Sequence, residues 1–496
     1  MKPHKPQPVA IKKAPKASGP AAPFERNHET PSPAQHRDAR DSKPSVFSKN
    51  KVGAPKHTGP KPSRPRPSVP GPSGQRQTAP QPPASARSGT GALITRRAAD
   101  RLRNGYLWVY ASDIESVTLP ESDSPPALLP VADSRGLLLG TALYSPASQI
   151  ALRMVTREAI DEPAWLKLLE FRLRESIDRR LLKAKDEETD SCRLCFSEAD
   201  QLPGLIIDKY GPLIIVQRLA RALYASGVSE TCVRVLRDLL EPATILERPD
   251  QRIRELEDLP AVDPAPLWAK DPAEPLTSTQ FHINGLLFQY DANSGQKTGA
   301  FLDQRANYSA AQEWAWFLTP GGRALDVCTY QGGFALHLAR VCKRVTGIDA
   351  SRASLEIAER NLEANRNQLG AEVDWVEADA FQILRDWSDS GEKFNAIVLD
   401  PPAFAKSQRA VEGALRGYKE LNLRALKMLA PNGLLVTCSC SHHVGWADLE
   451  GAVASAAADA GRRVRLLQRR GAALDHPVVF NLPETEYLKC LILQVE

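Results

Sequence analysis

From Phe281 onward, five short apolar runs recur with turns and helical patterns between them: Ala324 to Val327, Arg344 to Ile348, Val373 to Glu377, Ala396 to Leu399 and Leu434 to Cys438. Strands of this kind in alternation with helices imply a parallel sheet covered on both faces. Ser351 to Asn365, with Leu355, Ala358 and Leu362 on one face, is a plausible covering helix. The pattern predicts a doubly wound α/β domain over residues 276–496.

A chain of 496 residues is too long for one hydrophobic core, and its length suggests about three domains. The first 90 residues are not among them. They hold 19 of the 40 prolines and 17 Lys and Arg against four Asp and Glu, with almost no aliphatic clusters. Such a segment cannot bury enough surface to offset ordering entropy, so residues 1–90 read as a disordered basic tail. Its net charge is about +13 within a chain of +5, which leaves about −8 for the rest. A mobile cationic arm suits phosphate backbones through counterion release, and it suits equally a solubilising extension of no fixed partner.

Order is expected to begin near Leu93. A short helix over Arg96 to Leu102 and strands over Ala127 to Val131, Gly136 to Tyr144 and Gln149 to Val155 make a small, mostly β module over 91–158, in the size range of an RNA-binding barrel. Residues 159–275 read as a small α+β domain and linker. Trp165, Leu169, Leu173, Ile177 and Leu181 form one stripe of a helix over Pro163 to Lys185. Leu205 to Asp208 and Leu213 to Val216 flank the turn Lys209-Tyr-Gly-Pro212 as a hairpin. A helix over Val228 to Leu240 and a strand over Thr244 to Glu247 follow, and Pro-rich 260–275 reads as a linker.

In the last domain, Asp326-Val-Cys-Thr-Tyr330-Gln-Gly332-Gly333-Phe334 follows a strand and opens a helix, where glycines let the backbone approach a ligand. The next strands end at Asp349, placed for ribose hydroxyls, and near Asp379-Ala380-Phe381. G-x-G-x-x-G is absent, and an acid on the first strand suits a cationic amino-acid moiety, so the crevice fits S-adenosylmethionine better than a nicotinamide dinucleotide.

The fourth strand runs into Asp400-Pro401-Pro402-Ala403-Phe404. Prolines fix the backbone there and bring an acceptor to the rim, so that Asp400, with Pro401 and Pro402, can grip a base edge and Phe404 can stack. The fifth strand ends in Thr437-Cys438-Ser439-Cys440-Ser441. Carbon 5 of cytosine is a poor nucleophile until a group adds at carbon 6, and a thiolate both adds and leaves well. Cys440 lies at the strand end and is the candidate for that role. The other reading of each thiol is a small buried side chain, and it suits Cys438 better. His442 and His443 read as exposed.

No apolar run long enough for a membrane span or a secretion signal occurs, so the expected compartment is the cytoplasm and no membrane partner is expected. Eight cysteines there should be thiols, and Cys192-x-x-Cys195 lacks a second pair at zinc spacing, so no metal is expected.

These residues together resemble the bacterial large-subunit ribosomal RNA cytosine-C5 methyltransferase I family over about four fifths of the chain. The matching segments are Ala142-Leu-Tyr-Ser145-Pro146-Ala-Ser-Gln-Ile150, Gly204-Leu-Ile-Ile-Asp208-Lys-Tyr210, Gly295-Gln-Lys-Thr-Gly299-Ala-Phe-Leu-Asp303-Gln-Arg305, Tyr330-Gln-Gly332-Gly333-Phe334, Asp400-Pro-Pro-Ala-Phe404, Gly417-Tyr418-Lys419, Ser439-Cys440-Ser441 and Asp475-His476-Pro477. The resemblance implies a PUA domain, a central α/β domain and a Rossmann-like methyltransferase domain, with S-adenosyl-L-methionine as cofactor and 23S rRNA, naked or in an assembling large subunit, as partner. It implies the nucleophile at Cys440, base orientation by Asp400, and Asp326, Tyr330, Gly332, Gly333, Asp349, Asp379, Ala380 and Arg305 around the cofactor. A homodimer is compatible with it. Cys438 and the basic tail depart from the family pattern, and Ala403 after the prolines offers no second cysteine for product release. An N-methyltransferase of guanine or adenine, or a PUA-containing ribosome-assembly factor without activity, are the alternatives.

Overall fold

The computed structural model describes residues 12–13, 89–122, 125–181, 188–292 and 299–496. Almost all of the predicted tail therefore lies outside the described residues, as do 182–187 and 293–298.

The sheet that carries the site consists of β1 (Arg323–Val327), β2 (Arg344–Asp349), β3 (Glu372–Glu377), β4 (Phe394–Leu399), β5 (Leu429–Ser439), β6 (Val464–Arg470) and β7 (Lys489–Val495). Its order is β3-β2-β1-β4-β5-β7-β6, with β7 antiparallel to both neighbours and the first five strands parallel. The helices are α1 (Arg305–Leu318), α2 (Gly333–Leu338), α3 (Arg352–Ala364), α4 (Ala380–Ser390), α5 (Val411–Met428) and α6 (Trp446–Ala460). Period-two alternation sorts them to two faces. Ala324, Val345, Val398, Val436 and Cys438 pack with α1, α2 and α3, whereas Leu325, Ile348, Ile397 and Leu435 pack with α4, α5 and α6. The doubly wound expectation holds. The strand order reverses between β1 and β4, where open α/β sheets bind ligands beyond their carboxyl ends.

Two modules precede this sheet. A six-stranded sheet orders Trp108–Tyr110, Ile150–Thr156, Leu138–Tyr144, Leu128–Asp133, Gly91–Ile94 and Ile114–Thr118 around a core of Ile94, Val109, Leu129 and Leu152. A five-stranded sheet orders Ala265–Ala269, Thr244–Glu247, Leu213–Arg218, Leu205–Tyr210 and Ser191–Phe196. Helices Glu162–Leu181 and Val228–Leu240 cover it.

Several expectations need correction. The 260–275 segment is not merely a linker, because Ala265–Ala269 pairs antiparallel with Thr244–Glu247 at the sheet edge, where Pro266 is tolerated. Ser191–Phe196 and the hairpin Ser278–Ile283/Leu286–Asp291 are strands that the turn signals did not mark. Within the tail, Lys12–Lys13 pairs parallel with β3, and the Lys12 ammonium lies 2.7 Å from the Asp374 carboxylate.

Candidate active site

At the carboxyl ends of β1, β2 and β4, a cleft of about 330 Å³ opens, within the usual size range of small-molecule sites. Its wall includes Tyr330, Gly333, Asp349, Asp379, Ala380, Asp400, Pro401, Pro402, Phe404 and Cys440. The fold thus brings ten of the thirteen sequence-derived site residues to one cleft. Gly332, Asp326 and Arg305 are not on its wall.

The loop after β1 is built from an unusual backbone. Cys328 and Tyr330 take left-handed φ of 64° and 52°, which non-glycine residues rarely adopt, and Gly332 follows at 86°. The Thr329 amide donates to the Ile348 carbonyl, and the Tyr330 amide donates to Asp349 at 2.9 Å. Asp349 accepts a second bond from the Ser351 amide at 2.8 Å, so its carboxylate is fixed at the head of α3. Gly333 leaves no room for a side chain, since a β-carbon there would stand 2.5 Å from Cζ of Tyr308. Asp379 caps α4 by accepting from the Gln382 amide.

Asp326 sits behind this loop instead of in the cleft, which corrects the expectation that it meets the cofactor. It is 1% exposed and accepts from the Thr329 hydroxyl at 2.6 Å and the Ala335 amide at 2.9 Å, tying the loop to α2. Burial pushes its carboxyl up to about 7, although both hydrogen bonds favour the ionised form. A carboxyl that titrates near 7 when folded and near 4 when unfolded stabilises the fold below about pH 4. That contribution fades as pH rises and is gone above about 7. Asp326→Asn is therefore expected to remove this slope. The gap between the variant's and the wild type's unfolding midpoints should shift in the variant's favour from pH 4 to pH 7, and a gap that is constant with pH would refute it.

Arg305 also departs from expectation. Its guanidinium pairs with Asp475 and lines a second cavity, of about 660 Å³, with Arg180, Asp200 and Lys209. Burial alone would raise the Asp475 carboxyl, but His476 and Arg305 hold it well below the usual range.

At the other rim, β4 stops at Leu399 because Pro401 and Pro402 have no N–H to continue a ladder. Asp400 accepts from the Gln304 amide at 3.0 Å, and Gln304 is itself held by Asn307 at 2.6 Å. Phe404 packs between Phe381 and Tyr418, with centroids 5.8 and 4.8 Å away, while still bordering the cleft.

The Ser439-Cys440-Ser441 turn is fixed by its hydroxyls. Ser439 Oγ and Ser441 Oγ lie 2.9 and 3.0 Å from the buried Tyr418 hydroxyl, and Ser441 Oγ accepts from the Ala405 amide at 3.2 Å. Cys440 between them is half-buried and borders the cleft, its Sγ 3.9 Å from the Pro401 carbonyl oxygen. Cys438 is fully buried opposite Cys490 in the β5–β7 ladder. Burial drives its thiol far above the ordinary range, the state expected of a core residue. The two thiols thus have different surroundings, although they stand two residues apart.

Sequence reasoning missed Gln304, Tyr308, Cys328, Tyr487 and Lys489. Gln304 lay within the quoted Gly295 to Arg305 segment, and its polar side chain beside an acid was the available signal. Tyr308 and Tyr487 carried none. All eight cysteines are free thiols, and Cys192 is pushed up to about 12 by burial. Among the described residues, no group of three His, Cys, Asp or Glu could hold a metal, and no helix is long and apolar enough to cross a membrane.

Comparison with known proteins assigns the class. A family of PUA-like domains matches residues 93–157, and the S-adenosylmethionine-dependent methyltransferase family matches residues 249–471. The ribosomal RNA large subunit methyltransferase I of Pseudoalteromonas translucida (strain TAC 125) is 34% identical over 414 residues, covering 82% of this chain and 100% of that protein. Its counterpart from Aeromonas salmonicida (strain A449) is 34% identical, covering 81% and 98%. Among solved structures, a putative SAM-dependent methyltransferase from Streptococcus mutans shares the fold, with a TM-score of 0.68 at 18% identity, covering 82% of this chain and all of that one. The protein is a methyltransferase that uses S-adenosylmethionine, and the cleft's size, its carboxylates at the β2 and β3 ends and its Gly333 floor suit that cofactor. With a relative matched along its whole length at this identity, the chain belongs to the ribosomal RNA large subunit methyltransferase I family.

Proposed function

We propose that this protein forms 5-methylcytosine in large-subunit ribosomal RNA, with Cys440 adding transiently to carbon 6 of the target base. The observation that carries the reading is the closeness of Cys440 Sγ to the Pro401 carbonyl, 3.9 Å, which sets an accessible thiol beside the Asp400-Pro401-Pro402 turn in one cleft. The names of the relatives support the substrate class. Ribosomal RNA as partner implies work in the cytoplasm.

S-adenosylmethionine, when bound, supplies an electrophilic methyl group. Tyr330, Gly333, Asp349, Asp379 and Ala380 would border it, while Gly332 and Asp326 shape the loop behind. The Cys440 thiolate bonds to C6 and moves electron density to C5, which becomes nucleophilic enough to take a methyl group. The C5 proton then leaves to a base, the C6–Sγ bond breaks, and sulfur departs with the bonding pair, which restores the ring double bond. Asp400, anchored by Gln304, accepts from the base edge and fixes the ring over Sγ. The domain reading that accompanies this is a PUA-like RNA-gripping module over 91–158, a central module over 159–275 and the transferase over 276–496, with the 1–90 tail adding unspecific phosphate affinity.

The test is RNA that carries 5-fluorocytosine at the target. Fluorine at C5 cannot leave as a proton, so wild-type enzyme with cofactor should form a protein–RNA complex stable to denaturation, and mass mapping of ordinary product should give 5-methylcytosine. Methyl groups on an exocyclic amine or on a purine, with no trapped complex, would overturn the proposal in favour of N-methylation.

A further inference from the structure

We infer that Lys489 is a positioning residue for the attacking thiol: its buried ammonium clamps the Ser439 to Ser441 turn and offers the counter-charge for Cys440 as thiolate. This rests on the reading of Cys440 as nucleophile.

Lys489 opens β7, in register opposite Ser439 of β5, and is 2% exposed. A lysine is almost never buried so fully without a partner for its charge. Its Nζ donates to a neutral acceptor, the Ser441 carbonyl, at 2.8 Å. That bond ties the ammonium to the residue directly after Cys440. Ser439 and Ser441 are already pinned to Tyr418, so neither the turn nor the ammonium has freedom to separate. Apolar packing offers no reason for a cation at this point, whereas an anion forming at Cys440, the residue before the bonded carbonyl, does so together with Glu486 and Asp448.

Groups from several elements stand around Cys440, among them Tyr487, which lines the same cleft and faces His442. Lys489 approaches from β7, Asp400 and Pro401 border the same cleft from the end of β4, Tyr418 faces the turn from α5, and His442 follows on the turn itself. Burial raises the Tyr418 phenol, and the nearby Cys440 adds to this, so it stays neutral. Asp400 is an anion that a thiolate must tolerate. Burial pulls the Lys489 ammonium down from its ordinary value, and among the charges that oppose this, Cys440 comes ahead of Glu486 and Asp448. Lys489 is thus a cation within electrostatic reach of Cys440, with Glu486 and Asp448 as its other counter-charges.

The experiment measures iodoacetamide alkylation of the full-length protein without RNA, at pH 7 and pH 10, with peptide mass spectrometry separating Cys440 from Cys328. An ordinary thiol is only a few per cent ionised at pH 7. The wild-type ratio of the two rates at Cys440 should be well above that. Lys489→Met should lower the ratio about tenfold, the effect of a one-unit shift, and Lys489→Arg should return it to near the wild-type value. Cofactor binding by both variants reports an intact fold. A K489M ratio equal to wild type overturns the inference. Should K489M fail to fold, the wild-type ratio decides: a few per cent overturns it, and a value many times higher supports it. Failure here is distinct from failure of Cys440 as nucleophile, which shows instead as methyl transfer by C440A.

Discussion

Cys440→Ala is expected to lower methyl transfer by at least about 10³-fold while S-adenosylmethionine still binds, because removing a covalent nucleophile leaves only what binding and positioning provide. No other thiol in the cleft replaces it. Cys328 borders the same space, but burial, reinforced by Asp349 and Asp400, holds it protonated far above its ordinary range. Cys438 is sealed in the core against Cys490. The check is single-turnover methylation, with enzyme in excess over RNA, beside cofactor titration. Turnover of C440A within a few-fold of wild type would remove the thiol from the mechanism and leave direct methylation of a nitrogen as the surviving chemistry.

Asp400→Ala is the second large effect. Its carboxylate accepts from Gln304, which is 3% exposed, so truncation leaves a buried amide donor without its acceptor as well as deleting the group that would hold the base. An unsatisfied buried donor costs roughly 1–3 kcal/mol of stability, and the loss of ring orientation should lower kcat/KM for RNA about 10²- to 10³-fold. Asp400→Asn, which keeps one acceptor, should lose less. Equal kcat/KM for D400A and wild type would exclude Asp400 from base recognition.

The parallel strands were legible because aliphatic runs buried on both faces have few other destinations, and each ended where turn chemistry required. The Asp400-Pro-Pro turn was legible because prolines have no N–H to continue a ladder in any register, and the Ser-Cys-Ser turn because it follows the last aliphatic run of its strand. Arg305 was misplaced because only the family resemblance, and nothing in its neighbours, put it beside the cofactor. Successive residues at a helix start point in different directions, and Asp475, 170 residues away, decided its fate. Asp326 was given to the cofactor because a strand-end acid can face either the ligand or the loop behind it. Only the Ala335 amide and the Thr329 hydroxyl show which. Ala265–Ala269 was hidden by Pro266, which forbids a central strand but permits an edge. Lys489 carried no local mark, since a lysine at a strand end is ordinary until Ser439 stands opposite.

The segment between β6 and β7 touches both N-terminal modules and the cleft. Glu484 accepts from the Tyr106 hydroxyl at 2.8 Å, Asp475 accepts from the Arg193 amide at 2.7 Å, the His476 ring lies 5.2 Å from Phe196, and Tyr487 reaches the cleft beside Asp303. A connection bonded at both ends to neighbouring modules acts as a strut rather than a hinge. The separation of the N-terminal module from the Cys440 cleft is thereby held like a measured span, and anything that touches both at once must match that length.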